Sequence, residues 1–421
     1  MLDINLIRTD PERVRAGIQK KNIDPKLVDR FLRIDEEWRS KTSALDQLKA
    51  EQNVLNKEIS GNQSDDLLSK AQLLKKRVGD LTDEYMKLAE KREELISSFP
   101  NLPFDSVPLG KDESQNVILR EVGEKPVFSF KPKDYLALSE HLGIIDVKKA
   151  SEVSGSRFGY LMGDGALLEL ALTRYAFNVI TNHGFIPVIP PVMIKPEVYK
   201  GMGRLDADQK EERYFLEKDN LYLVGSSEHT LGPLHMGETF GSHDLPKRYV
   251  GFSTCFRREA GSHGKDTKGI LRVHQFDKVE MFVFSHPEKS EEEHSLLLSI
   301  QEELVSGLEL PYRVLEMCAG DMGWTDARQY DIETWMPGQG VYRETHSCSN
   351  TSDFQSRGMN TKYKGGDKKD KAQYIHFLNA TGFAMGRMII AIIENYQTEK
   401  GTVKVPAVLQ QFIGKKEIKG L

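Results

Sequence analysis

A chain of 421 residues is too long for one ordinary hydrophobic core and predicts two to three domains. With 39% hydrophobic and 29% charged residues and a mean hydropathy of −0.48, it has the balance of a folded globular protein and is too apolar for wholesale disorder. Fifty-eight basic against 63 acidic residues leave a net charge of −5, which excludes the strongly basic signature of a protein that coats nucleic acid with its whole surface. The start carries an acid at Asp3 and no apolar stretch of signal-peptide length, and no later run approaches the ~18 apolar residues of a membrane helix, which argues against export and insertion. Three widely spaced cysteines, Cys255, Cys318 and Cys348, form no Cys-x-x-Cys pair and predict a reducing cytoplasm without a structural metal.

From Phe31 the apolar residues Phe31, Ile34, Trp38, Leu45, Leu48, Leu55 and Ile59 fall on alternating steps of three and four, with Lys41 and Gln52 filling two seam positions. After the glycine-containing stretch Ser60 to Ser64 the pattern resumes at Leu67, Ala71, Leu74, Val78, Leu81, Tyr85, Leu88 and Leu95, with Arg92 as its polar seam position. Two long helices folded back as an antiparallel coiled-coil hairpin are expected. Pro100 and Pro103 end it, because neither proline continues a helix. The predicted domains are therefore 1–105 and 106–421. Periodicity alone leaves the hairpin open between an oligomerisation or packing element and a polyanion-binding arm. For the second, Lys70, Lys75, Lys76 and Arg77 are the candidate contacts.

Beyond Leu109 the texture changes to short runs rich in valine, isoleucine and phenylalanine, broken by glycine and proline. Strands are predicted at Phe185 to Ile189, Leu221 to Val224, Tyr249 to Phe256, Leu271 to Phe284 and Tyr330 to Trp335. Helices are predicted at Leu167 to His183, Glu291 to Gly307 and Ala384 to Tyr396. Antiparallel strands with helices grouped between them make the fold class α+β. The basic loop Lys362 to Lys371 reads as solvated surface.

Two segments carry chemistry. In Cys255 to Glu280, read as strand, polar loop and strand, alternation puts Arg257 and Glu259 on one face of the first strand and Phe276, Lys278 and Glu280 on one face of the second. A guanidinium, carboxylates and an aromatic plane on one wall are what phosphoryl or nucleotidyl transfer needs, although a salt-bridged β-hairpin has the same composition. In the second segment, Asn379 to Arg387, a turn of small residues delivers one arginine to the start of an apolar helix, where it needs an anionic partner.

These segments resemble the class II aminoacyl-tRNA synthetases and, among them, the bacterial-type seryl-tRNA synthetases. Phe256-Arg-Arg-Glu-Ala-Gly, the loop containing Asp266-Thr-Lys-Gly, and Arg272-Val-His-Gln-Phe-Asp-Lys-Val-Glu280 are similar to the second signature motif of that family. Asn379 to Arg387 with Glu394-Asn-Tyr-Gln397 is similar to the third, and Gly184 to Pro191 to the first, dimer-forming motif. Ser347 to Arg357, the Met-Leu-Asp-Ile start and the hairpin extend the resemblance over nearly the whole chain.

The resemblance implies an N-terminal coiled-coil arm followed by a catalytic domain built on an antiparallel β-sheet flanked by helices. It implies activation of L-serine with ATP and Mg2+ to seryl-adenylate, then transfer of the seryl group to tRNA(Ser), with tRNA(Sec) as a further candidate. Carried over by position, Arg257 and Arg387 would be catalytic, holding the α- and γ-phosphates. Arg258, Glu259, Val273 and Phe276 would complete the adenosine side, and Glu344, Thr345, His346 and Ser347 the nucleotide run, with Glu344 and Ser347 on magnesium. Serine would meet Ser226, Ser227, Glu228, Arg257, Glu280, Asn379 and Thr381. Ser226 stands where the family has threonine, and His346 where it has serine. His229 and His235 receive no role.

The same resemblance implies that the arm clamps the long variable arm of tRNA by backbone shape, while Lys265 and Lys268 meet the acceptor end. It also implies a homodimer. A relative that loads a carrier protein instead of tRNA would lack the arm and carry zinc-ligand cysteines, and a non-catalytic paralogue would have lost Arg257, Glu259 or Arg387.

Overall fold

Helix formation begins at once: Asp3 caps α1 (Ile4–Thr9), and Asp10, with Pro11 at the first helical position, caps α2 (Pro11–Lys20). The computed structural model describes residues 1–61, 64–205, 207–260, 268–365 and 370–420. It divides the chain into two units, Met1–Leu102 and Pro103–Leu421. In the first, α3 (Lys26–Gly61) and α4 (Asp65–Ser97) pack along the heptad seam, and every seam position named above is buried or partly buried. The polar seam residue Arg92 covers the Trp38 ring at 4.5 Å and donates to Asp35 at 2.7 Å. Asp35 is fully buried and also receives Arg8 from α1 at 2.8 Å. Burial pushes the Asp35 carboxyl up, but the two guanidiniums outweigh it and hold the group below the usual carboxylate range.

The second unit is organised by one sheet of eight strands: β1 (Val117–Val122), β2 (Ile186–Val188), β3 (Lys247–Phe256), β4 (Gln275–Ser285), β5 (Tyr312–Glu316), β6 (Arg328–Met336), β7 (Val341–Asn350) and β8 (His376–Ala384). Their order is β1-β5-β6-β7-β8-β4-β3-β2. Each neighbouring pair is antiparallel except β2 with β3. Helices α5 (Asp164–Asn182), α6 (Ser290–Gly307) and α7 (Met385–Asn395) pack against the sheet and complete its apolar core. The fold is α+β, as the texture of the sequence predicts. Among the described residues, no helix is long and apolar enough to cross a membrane. All three cysteines are free and buried.

Four strands of this sheet escape the sequence patterns. β1 and β5 are short, and β7 and β8 are rich in polar and small residues that alternate in neither hydrophobicity nor size. The segment Asn379 to Ala384 is therefore a sheet strand and not the expected turn; only after it does α7 begin. Gly382 shows why small residues are used here: a Cβ on it would lie 2.9 Å from Val279 Cγ1 on β4 and 3.2 Å from the Val279 carbonyl. β4 starts at Gln275 and not at Leu271. Arg257 and Glu259 lie beyond the end of β3, so strand alternation does not place them; Glu259 has a φ of 52°, a left-handed conformation uncommon for a side-chain-bearing residue.

His294 on α6 fastens the strand that carries the site. It is buried, and its Nε2–H donates to the Cys348 carbonyl of β7 at 3.1 Å. Burial pushes its pKa down to about 4. The folded state refuses a proton that the unfolded chain accepts below about 6.5, so this contribution to stability is complete above 6.5 and is lost as pH falls towards 4. Urea titrations should show the difference in stability between the wild type and His294→Gln shrinking by about 1.4 kcal/mol per pH unit over that window. A pH-independent difference would contradict the assignment.

Candidate active site

A cleft of about 240 Å³ opens where β3, β4, β7, β8 and the start of α7 meet. Arg257 enters from the end of β3, with its Nε donating to the Gly225 carbonyl at 3.1 Å and its guanidinium 5.2 Å from the centre of the Phe276 ring. Glu259, Val273, Phe276 and Lys278 continue that wall. Arg272 lies 3.8 Å from the Glu259 carboxylate. The loop before β4 is pinned by Tyr135, whose hydroxyl accepts from the Ile270 amide at 3.0 Å and donates to the Lys268 carbonyl at 3.2 Å. Gly269 lets it approach: its φ is 82°, and a Cβ there would overlap that hydroxyl.

The facing wall is Glu344, Thr345 and Ser347 from β7, Thr381 and Ala384 from β8, and Gly386 and Arg387 from α7. The anion that Arg387 requires is Glu344, 3.2 Å from its Nη1, which also donates to the Glu344 carbonyl at 2.8 Å. Burial pushes the Glu344 carboxyl up, yet Arg387 outweighs this and holds it below the usual range. The hydroxyls of Ser347 and Thr381 meet at 3.3 Å across the two strands.

A second hollow, about 440 Å³, adjoins the first and shares Arg257, Glu259, Lys278 and Ser347 with it. Ser226, Glu228 and Asn379 line it, together with Arg204, Arg213, Asp326 and Ser349. Lys278 Nζ reaches Ser226 Oγ at 3.4 Å and is ion-paired with Glu280. Glu228 is held by Arg204 at 2.7 Å. Glu280 itself is buried behind Lys278 and lines neither hollow; burial, the largest influence, raises its carboxyl.

The structure thus gathers most of the candidates and leaves some aside. Arg258 is exposed and borders neither hollow; its Nε donates to the Arg213 carbonyl at 3.0 Å, and its guanidinium covers Tyr214. His346 points to the other face of β7, fully buried against Phe383, with Nδ1 2.8 Å from Thr345 Oγ1 and its pKa pushed down to about 3, by burial above all. Ser227 is fully buried outside both linings. His229 lines the second hollow, with Nδ1 accepting from the Gly225 amide at 3.1 Å and close to the Tyr199 hydroxyl at 2.9 Å. His235 lies apart, between Glu238 and the Tyr249 hydroxyl. Lys70, Lys75, Lys76 and Arg77 are exposed on α4, Lys70 paired with Asp66, and Lys268 is exposed beside the cleft. Lys265 lies outside the described residues.

Sequence reasoning missed Lys278, Arg204 and Arg213 as site residues. Lys278 was placed on the correct strand face without a role, whereas the two arginines sit in a stretch whose spacing carries no regular pattern.

The family model for the seryl-tRNA synthetase N-terminal domain matches residues 1–103, and that for the tRNA synthetase class II core domain (G, H, P, S and T) matches residues 214–396. A serine-tRNA ligase of Corynebacterium glutamicum is 43% identical over 422 residues, covering 100% of this chain and 99% of the relative. Among solved structures, the seryl-tRNA synthetase of Pyrococcus horikoshii complexed with ATP superposes with a TM-score of 0.90 at 42% identity, covering 100% of both chains. The cytoplasmic serine-tRNA ligase of Naegleria fowleri in complex with AMP gives 0.85 at 32% identity, covering 100% of this chain and 99% of that one. Matched from end to end in sequence and in fold, this chain belongs to the seryl-tRNA synthetase family of class II.

Proposed function

We propose that this protein activates L-serine with ATP and transfers the seryl group to tRNA(Ser). The observation that carries the reading is the pair of adjoining hollows that share Arg257, one bordered by an aromatic plane and two arginines, the other by hydroxyls, an amide and carboxylates. Adenine lies against Phe276 and Val273, with Glu259 accepting from its amino group. Arg257 and Arg387 neutralise the phosphates while the serine carboxylate attacks the α-phosphorus and pyrophosphate leaves. The side chains act mainly by position and charge, since nucleotidyl transfer asks little covalent chemistry of the protein.

Serine occupies the second hollow. Ser226 offers a hydroxyl and Asn379 an amide whose Nδ2 is buried without a protein partner, so a substrate hydroxyl can satisfy it, while Thr381 borders the first hollow with its hydroxyl beside the shared Ser347. A site whose polar groups need that hydroxyl rejects alanine. Glu280 acts from behind, by fixing Lys278. The oxygen donors Glu344 and Ser347 suit magnesium, and as no cluster of three potential ligands occurs among the described residues, the ion would keep waters and take phosphate oxygens. Its contribution when bound is to offset phosphate charge.

The first unit is read as the tRNA arm, with Lys75, Lys76 and Arg77 on its exposed face and Lys268 facing the acceptor end; tRNA(Sec) belongs to the same reading. Leu170 on α5 and Ile189 in the segment of the first motif, 65% and 86% exposed, support a homodimer that covers them. The test is exchange of labelled pyrophosphate into ATP with the purified protein. Exchange is expected with serine and at least about a hundredfold less with alanine; exchange driven by another amino acid and not by serine would overturn the substrate.

A further inference from the structure

Arg213 presents a half-buried cation with no anion in ion-pair contact among the described residues. Its main chain is fastened to the segment leaving β3: the Arg213 carbonyl accepts from Arg258 Nε at 3.0 Å, and the preceding Glu212 carbonyl and carboxylate accept from the amides of Arg258 and Ala260 at 3.0 and 2.8 Å. The side chain turns inward to line the second hollow beside Arg204, Arg257 and Lys278, with its guanidinium 5.6 Å from the Tyr199 ring centre. Gly225, next to Ser226, leaves it room, since a Cβ there would lie 2.7 Å from Arg213 Nη1.

Arg204 has Glu228 as its partner at 2.7 Å. Arg213 has no carboxylate within ion-pair distance among the described residues, and its Nε is buried without a hydrogen-bond partner. Burial, the largest influence, lowers its pKa; Tyr199 and the more distant Glu228 carboxylate oppose this, while the Arg257 and Arg204 cations add to it. An unpaired guanidinium in such a place is costly unless an anion arrives with the ligand.

The anions available to adenylate formation are the phosphates and the amino-acid carboxylate. Arg257 borders both hollows and Arg387 only the first, whereas Arg213 borders only the second, where Ser226, Glu228 and Asn379 stand. We propose that Arg213 binds the carboxylate of the incoming amino acid and so aims it at the α-phosphate, a role that rests on the serine-activation reading above. The planar fork of arginine fits a carboxylate through two parallel hydrogen bonds, and Arg257 is thereby left to the phosphate.

L-serinamide, which keeps the hydroxyl and ammonium but lacks the carboxylate, separates this role from a structural one. In pyrophosphate exchange by the full chain, Arg213→Met should raise KM for serine about 30-fold or more. The inhibition constant of L-serinamide and KM for ATP should each move less than about threefold, within the few-fold drift expected of a neighbouring change. Arg213→Lys, which keeps the charge without the fork, should show the same selectivity at smaller size and serves if the methionine variant does not fold. Equal weakening of serine and serinamide, or an unchanged KM for serine, would overturn the proposal. Absence of serine-dependent exchange in the wild type would instead sink the reading on which it rests.

Discussion

Serine-dependent pyrophosphate exchange should fall by about two to three orders of magnitude in Arg387→Ala, the loss expected when one fixed cation is withdrawn from a transition state. Two effects combine. The phosphates lose a guanidinium that borders the first hollow, and Glu344 loses the partner that holds its carboxyl below the usual range against burial. Arg257 and Lys278 still favour its charged form, so what the half-exposed carboxylate loses is its fixed position in the oxygen-donor set proposed for magnesium. Arg387→Lys should recover only part of the activity, because a point charge cannot donate to the Glu344 carbonyl at 2.8 Å and meet its carboxylate with the same planar geometry. The check is exchange measured across magnesium concentrations: a loss below tenfold in Arg387→Ala would contradict the role.

Removing the first unit, Met1–Leu102, is the second large effect. The remaining unit contains both hollows and the whole eight-stranded sheet, so adenylate formation should persist within a few-fold. Charging of tRNA should fall by about a thousandfold or more, since affinity for a folded RNA comes largely from backbone contacts of the kind the exposed basic face of α4 offers. Aminoacylation and exchange measured side by side separate the two steps. Equal loss in both would mean that the arm serves folding and not recognition, and charging that survives would refute the clamp.

What could be read from the sequence followed physical periodicity. The heptads of α3 and α4 name their own seam, even at Arg92, because burial recurs every three or four residues whatever polar group occupies one position. The large apolar strands β3, β4 and β6 were visible for the same reason. β7 and β8 were not: they lie inside the sheet and lend their small and polar residues to the hollows, so that chemistry erases the alternation that marks a strand. At the site, local spacing identified Arg257, Glu259, Phe276 and Arg387 and the family resemblance added Glu344, yet neither could tell which face of β7 His346 takes, nor that Arg258 turns outward. β7 slips in register against β6 between Ile332 and Glu333, and counting residues by twos cannot foresee a slip. Arg213 was invisible because its importance comes from what is missing around it.

The wall shared by the two hollows makes them thermodynamic partners. Arg257, Glu259, Lys278 and Ser347 belong to both, so any shift in their charge or position caused by one ligand is felt by the other. Linkage then requires that nucleotide and amino acid alter one another's affinity by the same factor, whichever binds first. A substitution on that wall cannot be tuned for one substrate alone. Selection for a different amino acid or a different nucleotide would have to work through the unshared residues, such as Asn379 and Arg213 on one side and Arg387 and Phe276 on the other.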